Sequence, residues 1–244
     1  MKIFNIYSIE NQSTYEKEDY VMILAHLLEK GLYNPEYFKH CVHVIMDNGV
    51  YESAQVSTDI NHIIKLALDS NIIVDELIIP DIMNDYEATK ALYKKNYMSM
   101  FCYRDDFKFM YVTHATNFGQ LKDAIDMVNK EEYLDLVLGI PKCCMLDRYS
   151  KEFIKILKTC KKPIHYLGLK SNYEELLPVV NIIRSCDSSQ LLYLTRDQSV
   201  NYGRHTLLKR KQPAFDLEKD SVNQTKLELM RIAVNKELKT YGIL

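Results

Sequence analysis

The chain has 244 residues, 47% of them hydrophobic, and a formal net charge of -2 at pH 7. That length fits one domain, and the apolar content excludes a disordered chain because a sizeable core can be buried. The charge excludes a globally basic nucleic-acid binder but leaves room for a local basic patch. The six cysteines (Cys41, Cys102, Cys143, Cys144, Cys160, Cys186) lack any C-x-x-C spacing, so they read as reduced thiols of a cytosolic protein. No basic segment leads into an apolar one at the start, and no apolar run approaches membrane-spanning length. The expectation is a cytoplasmic chain with no membrane partner.

In chain order the pattern is a β-prone run, a polar edge, then a capped amphipathic helix. Lys2 to Tyr7 predicts the first strand. Ser13-Thr14-Tyr15-Glu16 has the capping-box form, and Val21, Leu24, Leu27 and Leu28 follow at helical spacing up to Gly31. That spacing predicts a helix. Cys41 to Met46 predicts the second strand, and its helix carries Ile60, Ile63, Ile64, Ala67 and Leu68 on one face.

Glu76 to Pro80 is the third strand, ending in Asp81, and Asn84 to Glu87 opens the next helix. Phe107 to Thr113 is the fourth, ending in His114, and Asn117 to Gln120 caps a helix with Leu121, Ala124, Ile125 and Val128. Leu134 to Ile140 is the fifth, with a helix near Ser150 to Thr159. Ile164 to Leu169 is the sixth, followed by a capping box at Ser171 to Glu174. Asn181 to Ser185 is the seventh, and Ser221 and Gln224 open a last helix that runs to Thr240.

These strand runs are near-continuous in apolar residues, as parallel strands covered on both faces require. Each precedes a helix, which suits βαβ units. The reading is an α/β fold, a (βα)8 TIM-type barrel in a single domain over residues 1–244. Seven strands are clear and the eighth is uncertain: Leu191 to Leu194 is either that strand or the first turns of a helix capped by Ser188. A doubly wound open sheet is the rival, because patterning does not distinguish closure from openness.

Acids recur at the predicted carboxyl ends of strands: Asp47, Asp81 and Asp187. Each could simply cap the following helix. Three on one rim point to a site, because barrel enzymes keep their chemistry on that face. The first acid sits in Asp47-Asn48-Gly49-Val50-Tyr51-Glu52, where Asn-Gly supports a tight turn.

That segment resembles the Asp-Ser-Gly-Gly-Phe-Gln signature of the tRNA-guanine transglycosylase family. Further landmarks follow in the family's order: Ile79-Pro80-Asp81, Val112-Thr113-His114, Val137-Leu138-Gly139, His165-Tyr166-Leu167-Gly168-Leu169, and Arg184-Ser185-Cys186-Asp187-Ser188. The likeness covers roughly residues 40 to 190. It implies a base-exchange enzyme acting through a covalent glycosyl intermediate, with Asp187 as nucleophile and Asp47 as general acid/base. Asp81 would read a guanine-like edge. Gly139, His114, Tyr51, Asn48, Gly49 and Gly168 would form the rest of the base pocket.

The family's carboxyl-terminal zinc site is missing, since no cysteine follows Cys186, and Val50 and Glu52 replace the commoner Gly and Gln. No metal or cofactor is therefore expected. The departures favour a compact branch, like phage enzymes that install 7-deazaguanines in DNA, with tRNA the other candidate polymer. The basic run containing Arg204, Lys209, Arg210 and Lys211 is the candidate phosphate grip, or else a solvated loop. The resemblance leaves a homodimer open. Two other readings stand beside exchange: an N-glycoside hydrolase of nucleosides or nucleic-acid bases, and a catalytically silent nucleic-acid-binding barrel.

Overall fold

The structure, a computed structural model, describes residues 1–49, 57–142, 146–148, 150–168, 176–188, 191 and 222–243. Eight strands close into a barrel in sequence order: β1 Lys2–Asn5, β2 Tyr20–Leu24, β3 His43–Asp47, β4 Glu76–Ile78, β5 Lys108–Val112, β6 Leu136–Pro141, β7 Ile164–Leu167 and β8 Ser185–Ser188. All neighbours are parallel, and β8 pairs with β1 from Lys2↔Ser185 to Asn5↔Ser188. Outside them lie α1 Ala25–Glu29, α2 Ile60–Asp69, α3 Tyr86–Cys102, α4 Phe118–Lys130, α5 Lys151–Leu157 and α6 Gln224–Thr240. The expected TIM-type architecture is what forms.

Its eighth strand is not where the sequence pattern put it. Tyr20–Leu24, expected to begin a helix, is β2, paired with β3 over five positions from Tyr20↔His43 to Leu24↔Asp47. Val21 and Leu24 fit a helical stripe and a continuous strand equally, and so short a run cannot be assigned by periodicity. Closure decides, because β1 and β3 need a strand between them. The expected capping box at Ser13 does not form either. Ile9–Lys17 is a 3₁₀ segment, with Tyr15 buried and its hydroxyl accepting from the Tyr7 N–H at 2.9 Å. Leu191 is buried and helical, while 192–194 and the expected box at 171–174 lie outside the described residues. The expected strand at 181–185 moves downstream to Ser185–Ser188, so Asp187 lies within β8 rather than after it.

Short polar side chains start the helices, at Asn117 and Ser150 as the sequence implies and at Asp85 one residue past the expected Asn84. Asp85 accepts from Ala88 N at 3.0 Å, Asn117 from Gln120 N at 3.0 Å, and Ser150 from Phe153 N at 3.2 Å. In α6 the cap is Asn223, accepting from Lys226 N at 3.0 Å. Gln224, expected in a box, instead bonds Asn11 at 2.9 Å and Thr14 at 2.7 Å, which docks α6 beneath the 3₁₀ segment.

Alternate residues of a barrel strand face the interior. One set, Phe4, Ile6, Met22, Ile45, Ile78, Met110, Val112 and Val137, packs together inside with Tyr20 and Leu167 against it. The other set, including Val21, Ile23, Val44, Met46, Leu77, Phe109, Tyr111 and Leu138, joins the helices in the larger core. Ile63, Ile64 and Ala67 of α2 and Leu121, Ala124, Ile125 and Val128 of α4 supply its outer layer as expected, whereas Leu68 is exposed. Each fully buried aliphatic side chain contributes ~1.5–3 kcal/mol, which makes this layer the main stabilising element.

Candidate functional site

The inward parity that places Ile45 in the interior also turns His43 and Asp47 inward. In the same way Ile78 implies Glu76, Val137 implies Gly139, and Leu167 implies His165. The carboxyl ends of all strands share one end of a parallel barrel. Asp47 is the last residue of β3 and Asp187 the next-to-last of β8, so both acids stand at that end.

Asp187 is 6% exposed. Its Oδ1 accepts from the Gly168 N–H at 2.8 Å and faces His165 Nε2 at 3.1 Å. Its Oδ2 has no hydrogen-bond partner among the described residues, and 8% of the side-chain surface stays open. Gly168 can present its N–H because it adopts φ 64°, a left-handed conformation that costs glycine little. A Cβ there would press on the Lys142 stem at 3.3 Å. Arg148, 1% exposed, braces the same corner by donating to the carbonyls of Ile140 at 3.2 Å, Leu167 at 3.1 Å, and Gly168. Its guanidinium lies over the Tyr166 ring, 4.9 Å from the centroid.

A second group forms across β3 to β5. Asp81, 6% exposed, accepts from Asn48 Nδ2 on Oδ1 at 2.5 Å and faces His114 Nε2 on Oδ2 at 2.5 Å. His114 Nδ1 accepts from the Asn84 N–H at 3.2 Å, so the ring proton sits on Nε2 and points at Asp81. Asn84 presents that N–H from φ 60°, a conformation Asn tolerates better than most residues. The other Asn48 amide hydrogen goes to the Ile79 carbonyl at 3.1 Å. Asp47 accepts from the Gly49 N–H at 2.9 Å, the local turn that Asp-x-Gly favours. Gly49 has φ 78° and lies so close to His26 that a Cβ would sit 2.6 Å from Nδ1.

The fold therefore gathers Asp47, Asn48, Gly49, Asp81 and His114 on one side of the rim, and Gly168 and Asp187 on the other. Gly139 lies between them on β6, paired with Val112 and His165. The space over it is filled by Met110 Sδ at 3.0 Å, with Leu167 and Val112 at 3.1 Å from a built Cβ. Glycine there serves barrel packing. Tyr51, Arg204, Lys209, Arg210 and Lys211 lie outside the described residues.

Sequence reading missed the residues that hold Asp187 from below. His165 and Ser185 are 0% exposed, and Glu76 is also 0% exposed at the opposite end of the barrel. The available signal was a polar residue at inward parity inside an apolar run: Glu76 opening Glu-Leu-Ile, His165 inside Ile-His-Tyr-Leu, and Ser185 two residues before Asp187. Burial alone would raise the Glu76 carboxyl, but hydrogen bonds from His43 and Arg184 and the Arg184 charge hold it down at about 2.

Among the described residues no group of three His, Cys, Asp or Glu side chains could hold a metal ion. No described helix is long and apolar enough to cross a membrane. No protein-family model matches the chain, and no curated protein sequence does.

Proposed function

We propose that the chain is a base-exchange transglycosylase, which replaces guanine or inserts a 7-deazaguanine in DNA or tRNA through a covalent Asp187–sugar intermediate. One observation carries the reading. Asp187 is a nearly buried carboxylate at the carboxyl end of the barrel, with Oδ1 anchored by two donors and Oδ2 left without a partner among the described residues. A nucleophilic carboxylate needs that division, since one oxygen must be oriented while the other attacks.

In this reaction Asp187 Oδ2 bonds to C1′ as the bond from C1′ to the base nitrogen breaks. Asp47 supplies the proton that the departing base takes up. The incoming base then gives its proton back to Asp47 and attacks C1′, releasing Asp187. Two displacements retain the configuration at the sugar carbon. Asp81 keeps an acceptor site on each oxygen beyond its bonds to Asn48 and His114, which suits the N–H edge of a guanine-like ring. In a duplex the target nucleotide must leave the stack to reach this rim. The basic run with Arg204, Lys209, Arg210 and Lys211 would supply the phosphate contacts that such a polymer needs.

The deciding experiment incubates the purified chain with radiolabelled guanine or a labelled 7-deazaguanine and either tRNA or DNA. Label entering one polymer is the expected result. Abasic product without label makes water the acceptor and the protein a hydrolase. Neither product with either polymer removes the reading.

A further inference from the structure

The floor of this barrel is polar where such interiors are ordinarily packed with branched aliphatic residues. Glu76 opens β4 and Arg184 immediately precedes β8, and these two strands stand on opposite sides of the closed order. Their ion pair therefore spans the barrel, with Arg184 bonding the two Glu76 oxygens at 2.9 and 3.1 Å. His43 Nε2 approaches the same carboxylate at 3.3 Å. From Arg184 the contacts run upward: Nε donates to Ser185 Oγ at 3.0 Å, and Ser185 Oγ lies 2.8 Å from His165 Nδ1. His165 Nε2 then meets Asp187 Oδ1 at 3.1 Å.

Hydrogen counting fixes the direction of the chain. Arginine only donates, so Ser185 Oγ accepts from Arg184 and must place its own hydrogen elsewhere. Among the described residues the one acceptor it touches is His165 Nδ1. A carboxylate only accepts, so His165 Nε2 carries the proton it gives to Asp187. The imidazole is thus neutral and Nε2-protonated. Phe4 wedges it in place, edge-on at 5.8 Å, and packs at 5.4 Å on His43 at the other end of the chain.

Stability does not explain this network. A buried ion pair can commonly be exchanged whole for apolar residues at no loss, whereas a half-broken one is costly. What the network does supply is one fixed donor at its upper end, beneath Asp187.

We infer that His165 is a positioning residue for Asp187, held in a single tautomer by Ser185 and Arg184 so that Oδ1 is anchored and Oδ2 faces the substrate. This rests on the transglycosylase reading for its chemistry, but its geometry is testable without turnover. Asparagine at 165 places its amide nitrogen near Nδ1, and glutamine places its own near Nε2. His165→Gln keeps a donor to Asp187, and His165→Asn loses it.

The expected result is a rate of covalent adduct formation lowered by about a hundredfold in His165→Asn and by less than about tenfold in His165→Gln, with KM for the polymer unchanged. A purely structural role would lower both in step with their melting temperatures, and that outcome overturns the inference. Nitrogen NMR of ring-labelled protein gives the second readout, independent of activity and of whether those variants fold. At neutral pH His165 in the native chain should show a protonated Nε2 and a bare Nδ1, with the Nδ1 signal shifting in Ser185→Ala. A native Nδ1-protonated ring overturns the inference whatever reaction the protein performs. The stated tautomer in a protein that exchanges no base would sink the transglycosylase reading alone.

Discussion

Two aspartate–histidine pairs stand on this rim, and they are built differently. Asp81 is held on both oxygens, by Asn48 on one and His114 on the other, and His114 is fixed by a backbone N–H. Asp187 is held on one oxygen only, and its histidine is fixed by side chains that reach through the barrel. An acid with both oxygens bound suits reading a ligand's donors, and an acid with one open oxygen suits bond formation. The same residue types thus acquire different capacities from what lies behind them.

The strongest way to break that contrast is to neutralise the open oxygen. Asp187→Asn should lower adduct formation by at least about a thousandfold, read by trapping the protein–nucleic acid species on a denaturing gel. Its amide oxygen can still accept from Gly168, so the melting temperature should barely move. An adduct at native rate would end the nucleophile assignment.

Asp47→Asn comes next. The Gly49 N–H keeps an acceptor, so folding should be unchanged while exchange falls by ~100- to 1,000-fold, as loss of a general acid/base implies. Asp81→Asn sharpens the comparison from the other side. It should cut kcat/KM for the free base by about a hundredfold, with the adduct still trapped at long times.

Glu76→Gln tests the floor rather than the rim, and it should cost about 3 kcal/mol in urea unfolding because Arg184 is left without its counter-charge. The Glu76 carboxyl is depressed from 4.5 to about 2, so this contribution is complete above pH 4.5 and is lost as pH falls toward 2. The native and variant stabilities should therefore converge in acid. Gly49→Ala is the smallest effect. At φ 78° and against the His26 ring it should lose about 1–2 kcal/mol, measured by thermal melting.

Much of the barrel was legible because strand runs and helix caps are local. Asn117 and Ser150 cap the helices their positions imply, Asp85 caps one residue past the expected Asn84, and Asp47 ends its strand as expected. β2 was not legible, since Tyr-Val-Met-Ile-Leu satisfies a helical stripe and a strand alike. The β8 register also shifted: turn residues fill the expected strand, and Asp187 moved inside the next one. Within the site, the acids could be found as polar breaks after apolar runs. Their partners could not, because Glu76 and Arg184 are 108 positions apart and meet only across a closed barrel.

By itself the sequence determined the local chemistry of this chain: which runs are apolar, which short polar residues can cap a helix, and which acids interrupt or follow those runs. Those follow from side-chain size, branching and hydrogen-bonding capacity within a few residues. Tertiary structure alone decided which acid keeps an open oxygen. That depends on the inward parity of β7 and β8 and on a hydrogen-bond direction set from the opposite wall, neither of which exists until the barrel closes.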